Sequence, residues 1–181
     1  HPAPEALATA SAGGAPDPTA LAVLRSGAED LDVEIRMKAL ACLIRSDAEP
    51  AGGSWSPRAL LDPSPYVQRA ALEALAARID EPAARAAVAN TARRGGVDPY
   101  TRGLAGGILA DAGEQEASLS EAWRAAIAPW EAAPLALAAA RMGDPEAAAA
   151  VGRALVEAEF PLEIPFFLSI GHSGLPELAP A

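Results

Sequence analysis

The chain has 181 residues, a formal net charge of −10 and 47 alanines, which supply about half of its 51% hydrophobic content. That length accommodates one ordinary domain or one run of small repeats, with a buried core and no covalent staples. Hydrophobic residues outnumber the 21% charged by more than two to one, which argues against disorder over most of the chain. The acidic balance argues against nucleic acid as a partner, because a grip on phosphate backbones comes largely from Lys and Arg.

Residues 1–16 carry Pro2, Pro4 and Pro16 among alanines, with Gly13 and Gly14. They read as a linker or loosely attached lead-in, with one short helical turn over Glu5 to Thr9. The chain opens on His1 rather than methionine, so the reading leaves both a cytoplasmic and an exported or envelope-tethered origin open, and a lipid tether upstream of His1 is compatible with it. No stretch approaches the ~18 uninterrupted apolar residues of a membrane span. Cys42 is the single cysteine: no intrachain disulfide can form and no Cys cluster can hold a metal, so it is expected to pack as a small hydrophobe.

From residue 17 onward apolar positions recur at helical spacing and strand signals nearly vanish. Ile35, Ala39, Leu40, Leu43 and Ile44 form one stripe, and Val67, Ala70, Ala71, Ala74 and Leu75 form the next. Asp32 is placed to cap the first of these helices, and Asp62 opens a Pro-punctuated turn before the second. Second helices are expected over Trp55 to Leu61, Pro82 to Arg94, Leu119 to Ile127 and Pro145 to Glu157. Gly113 and Gly143 stand where a first helix must stop and turn back, as left-handed C′ residues do.

Laid under one another, Asp30-Leu-Asp-Val-Glu-Ile-Arg-Met-Lys-Ala-Leu-Ala-Cys-Leu43 and Asp62-Pro-Ser-Pro-Tyr-Val-Gln-Arg-Ala-Ala-Leu-Glu-Ala-Leu75 match at Asp, at Ile35/Val67, at Leu40/Leu72 and at Leu43/Leu75. A third copy runs from Asp98 to Gly113, a fourth closes on Ala140-Arg-Met-Gly-Asp-Pro-Glu146, and a weaker fifth appears at Ile170-Gly-His-Ser-Gly-Leu-Pro-Glu177. A spacing of about 30 to 34 residues is a helical-hairpin period.

These segments, above all Asp62 to Leu75 and Ala139 to Ala147, resemble HEAT-like repeats of the short kind found in bacterial phycobilisome-lyase-type proteins. The resemblance spans residues 17–181, with departures at the glycine-rich Gly103-Leu-Ala-Gly-Gly107 and at the insert from Asp47 to Ser56. It implies an all-α, armadillo-like fold: a right-handed α-solenoid of about five hairpins with no β-sheet, each unit depending on its neighbours, and an array that stops short at its C-terminal end. In such solenoids the second helices line the concave side, which would offer Arg85, Arg93, Arg94, Glu121, Trp123, Arg124 and Arg153.

Catalytic chemistry finds little to work with. His1 and His172 are the only histidines, so no His-pair metal site exists, and the His-Glu dipeptides of HEAT-like metal-dependent hydroxylases are absent. The glycines at 103, 106 and 107 lack the Lys-Ser/Thr of a phosphate loop and are read as close helix packing. Asp144 and Glu146 sit at a helix start, where negative charge serves as a cap. Five arginines on second helices do not make the basic track that a HEAT-like DNA glycosylase needs.

The sequence is therefore read as a non-enzymatic protein-interaction scaffold, or the interaction domain of a larger protein, with Arg85, Arg93, Arg94, Trp123, Arg124 and Arg153 as partner-binding residues and no cofactor or metal. Two other readings stay open: an enzyme-associated module that holds a cofactor or chromophore, and a tethered structural protein of the cell envelope.

Overall fold

A computed structural model of the chain describes residues 17–46, 54–126 and 129–157. The lead-in over 1–16, most of the insert after Asp47, the fifth repeat copy and His172 lie outside the described residues. Every regular element among the described residues is an α-helix: α1 Pro18–Gly27, α2 Val33–Arg45, α3 Trp55–Leu60, α4 Pro65–Ala76, α5 Pro82–Arg93, α6 Pro99–Asp111, α7 Ala117–Ala125, α8 Pro129–Arg141 and α9 Pro145–Glu157. The all-α expectation is met. The chain divides into two compact units, His1–Val88 and Ala89–Ala181, with the division falling inside α5.

The helices start where carboxylates and prolines place them. Asp17 accepts from the Thr19 N–H at 3.1 Å, ahead of Pro18 in the first turn of α1. Asp32 accepts from the Glu34 and Ile35 N–H groups at 2.8 and 3.4 Å and so caps α2. Asp98 does the same for α6, accepting from Tyr100 and Thr101 N–H at 3.1 Å each and a further bond from the Thr101 hydroxyl. A proline at the first position costs nothing at α4 and α6, because that N–H has no intrahelical acceptor. The turns after α6 and α8 close through Gly113 and Gly143 at φ of +75° and +93°, the left-handed conformation that glycine adopts without a Cβ penalty.

In the first unit α2 packs chiefly on α4, with α1 against α2 and α3 against α4. The core is the pair of expected stripes: Ala39, Leu40, Leu43 and Ile44 from α2 meet Val67, Ala71, Leu72, Ala74 and Leu75 from α4, all buried. Ile35, Ala70 and Cys42 are half-buried at the margins of these stripes. Arg78 ties the turn after α4 back to the end of α2, donating to the Ile44 carbonyl at 2.7 Å while its other edge holds Glu81.

The second unit repeats the arrangement. Its most extensive contact is α6 on α8, and α7 and α9 both pack on α8. Residues 133–140 of α8 are all buried, so this helix is covered all round rather than on one stripe. Glycine makes the α6–α8 approach possible. A Cβ at Gly103 would stand 2.5 Å from the Pro134 carbonyl oxygen and 2.7 Å from its carbon, and one at Gly106 would meet the Ala138 Cβ at 2.8 Å. The glycine-rich run of the third repeat is thus a packing surface, as its composition suggested.

The second-helix bounds differ slightly from those expected. The helix expected from Leu119 begins at Ala117, because Glu116 accepts from the Ser118 N–H at 3.3 Å and starts it two residues earlier. It ends at Ala125, with Ala126 extended.

Candidate functional site

The six residues expected to bind a partner are divided between the two units. Arg85 belongs to the first, where its Nε donates to the Ile79 carbonyl at 3.3 Å. Arg93, Arg94, Trp123, Arg124 and Arg153 belong to the second. Arg94 is half-buried just past the end of α5, with its N–H bonded to the Asn90 and Thr91 carbonyls. Arg153 is exposed on α9.

Three of the six come together along α7. At its start, Arg93 Nε donates to Glu116 Oε2 at 2.6 Å. Glu116 is buried while the Arg93 side chain is more than half exposed, so the arginine neutralises from the solvent side a carboxylate that also caps the helix. Below it, the Glu116 N–H points at the Met142 sulfur at 3.3 Å, and Gln115 donates to the Met142 carbonyl at 3.2 Å. Eight residues on, roughly 12 Å along the helix axis, the Arg124 guanidinium lies 4.9 Å from the centre of the Trp123 ring, within cation–π range.

Arg124 is also bound to the next helix. Its Nη2 donates to Asp144 Oδ2 at 3.0 Å and to Glu146 Oε2 at 2.9 Å, while Nη1 returns to the Ser120 carbonyl at 2.9 Å. The bond to Glu146, followed by the nearby Asp144 charge, raises the Arg124 pKa further above its ordinary value. Asp144 in turn caps α9 through the Glu146 and Ala147 N–H groups at 3.1 Å each, and accepts the Ser120 hydroxyl at 2.9 Å. Burial alone would push the Asp144 carboxyl up. The Ala147 N–H, the Ser120 hydroxyl, the Trp123 indole and Arg124 outweigh it and hold the group below the usual carboxylate range. The indole N–H is buried and meets no acceptor in hydrogen-bonding geometry, so its effect on Asp144 is that of a nearby dipole. The body of Trp123 packs against the core cluster of Ala133, Ala136, Leu137, Ala147 and Val151.

The first unit contains the same device. Arg36 Nε and Nη2 grip Asp62 at 2.7 and 3.1 Å, and Asp62 accepts from the Ser64 N–H at 2.8 Å at the entry to α4. The pair is largely withdrawn from solvent, with 15% and 8% of the two side chains exposed. Burial pushes the Asp62 carboxyl up, but the bonds from Arg36 and Ser64 and the neighbouring positive charge bring it below its ordinary value. The residues that sequence reasoning missed are these carboxylates, Asp62, Glu116 and Asp144, as partners of arginines one helix away. Asp62 and Asp144 stood out in the sequence as the Asp of an Asp-Pro pair at a helix entry, whereas Glu116 did not; the pairing spans 20 to 26 residues and leaves no local pattern.

Among the described residues no group of three or more His, Cys, Asp or Glu side chains is placed to hold a metal ion, and no helix is long and apolar enough to cross a membrane. What the arrangement offers is a pair of arginines, Arg93 at the end of α5 and Arg124 on α7, held in place by the capping carboxylates Glu116 and Asp144, with Arg153 exposed on α9. No protein-family model matches the chain, no curated protein matches it, and no solved structure matches it.

Proposed function

We propose that the chain is a non-enzymatic protein-interaction module, built as a right-handed α-solenoid of HEAT-like hairpins and presenting a partner surface on its second helices. One observation carries this reading. In both units the first helix of one repeat lies on the first helix of the next, α2 on α4 and α6 on α8, and the intervening second helix, α3 or α7, packs on the later of the two. That is how helical hairpins stack into a continuous core, in which each unit is stable only beside its neighbours. Function then resides in the outward face of the array rather than in a cleft.

The six candidate residues do not serve this surface equally. Arg93 and Arg124 hold capping carboxylates and Trp123 fills core, so replacing them tests stability as much as binding. Glu121 and Arg153 are exposed on α7 and α9, and they read the surface alone. The immobilised full chain is expected to retain a protein partner from native lysate, and that partner, once purified, to bind the wild type saturably. The double variant Glu121→Arg/Arg153→Glu is expected to bind it at least about tenfold more weakly, the scale of a truncated hot spot, with an unchanged circular dichroism spectrum. Binding equal to wild type in the folded variant would remove α7 and α9 from the partner surface.

A further inference from the structure

Met142 stands in the turn after α8 and ties the end of that helix to the entry of α7. Its N–H closes α8 on the Ala138 and Ala139 carbonyls, its carbonyl accepts from Gln115 Nε2 at 3.2 Å, and its Sδ accepts from the Glu116 N–H at 3.3 Å. Two consecutive residues ahead of α7 are thus fastened to one methionine. Glu116 is the residue on which α7 starts, since its carboxylate accepts the Ser118 N–H and is held by Arg93 from the end of α5. Glu116 is buried, whereas Met142 is only half-buried and so is partly open to solvent.

A thioether sulfur is a weak acceptor, and peroxide converts it to a sulfoxide. A sulfur lone pair attacks one peroxide oxygen, and the S–O bond forms as the O–O bond breaks. The departing hydroxide takes the proton left on the transferred oxygen and becomes water; sulfur gives up two electrons and peroxide gains them. Attack through either lone pair ends the bond to Glu116. Oxygen added on the Glu116 side has no room, because 3.3 Å separates nitrogen from sulfur and an N–H···O bond alone takes about 2.7–3.2 Å. Oxygen added on the other side leaves a positively polarised sulfur facing the N–H. In both cases a buried N–H loses its acceptor, which is costly. We propose that Met142 is a peroxide-sensitive latch: its oxidation frees the entry of α7 from the end of α8 and loosens the Arg93–Glu116 pair, and reduction of the sulfoxide fastens it again. The latch does not depend on a partner meeting α7 and α9, so this assignment and the proposed function can fail separately.

Peroxide treatment of the full chain, read by peptide mass spectrometry and amide hydrogen exchange, tests the proposal. In the folded wild type Met142 is expected to gain one oxygen, and exchange over residues 116–120 to quicken at least about fivefold, the size of one lost hydrogen bond. Methionine sulfoxide reductases are expected to return the original exchange. Met37→Leu removes the other methionine and is expected to keep the whole response. Met142→Leu conserves volume and, with its fold checked by circular dichroism, is expected to exchange at one rate with and without peroxide. The proposal is overturned if Met142 resists peroxide in the folded chain, if its oxidation leaves residues 116–120 as protected as before, if exchange stays fast once the sulfoxide is reduced, or if Met142→Leu shows the same quickening.

Discussion

Glycine is the residue that most directly controls how closely the helices of the second unit approach. Gly103 faces the backbone of Pro134 at distances no Cβ tolerates, whereas a Cβ at Gly152 on α9 meets nothing within 4 Å. Gly103→Ala is therefore expected to destabilise the protein by about 1–3 kcal/mol, the cost of overpacking a tight contact. Gly152→Ala is expected to be neutral or to stabilise by up to ~1 kcal/mol, since alanine is the better helix former. Urea unfolding of the two variants beside wild type checks both; equal losses would mean that α6 and α8 are not in this close contact. The sequence disclosed that 103, 106 and 107 form a packing surface, because a glycine run inside a helical stripe has few other uses. It did not disclose Pro134 as the neighbour, a contact made 31 positions away in the chain.

Between elements, arginines gripping carboxylates at helix entries are the recurring link, and the link through Asp62 is pH-dependent. Asp62 is held below its ordinary value in the folded chain, so it contributes stability that is fully present above the unfolded carboxyl's pKa, about 3.9, and is lost as pH falls through the lower folded value. Asp62→Asn is expected to cost about 1–3 kcal/mol at neutral pH, and the gap from wild type is expected to narrow below about pH 4. Denaturant titrations at neutral and acid pH check the sign; a gap that widens on acidification would contradict it. At the start of α7, Arg93→Ala leaves the buried Glu116 carboxylate without its cation and is expected to cost about 1 kcal/mol. Adding Glu116→Gln is expected to recover part of that loss, which a double-mutant cycle reads directly. Elements of this kind were half legible. Asp32 announced itself as a cap by standing just before a stripe and Asp144 by standing at a helix start, and Gly113 and Gly143 announced the turns. The start of α7 moved to Ala117 because Glu116, not usually a strong cap, accepts a backbone N–H there. The arginine partners stayed hidden because neither propensity nor period records which side chains meet across 20 or more residues.

At the scale of the whole molecule, the helical class followed from periodicity alone: every stripe residue named on α4 is buried or half-buried, and the described residues form no strand. The division near Val88 was not legible, since α5 carries an unbroken stripe of Ala84, Val88 and Ala92, all fully buried, across it. The candidate surface was legible only as a row of helices. Which of its residues are committed to holding neighbours, as Arg93 and Arg124 are, and which are left outward, as Arg153 is, depends on contacts between repeats. The account's central claim is that partners are met by the second helices. Amide hydrogen exchange of the full chain, alone and with a saturating purified protein partner, tests it most directly. The account predicts slowed exchange in α5, α7 and α9, with the exposed loops around Leu31 and Leu61 unchanged by that partner. Protection confined to α2, α4, α6 or α8, or to those loops, would contradict it.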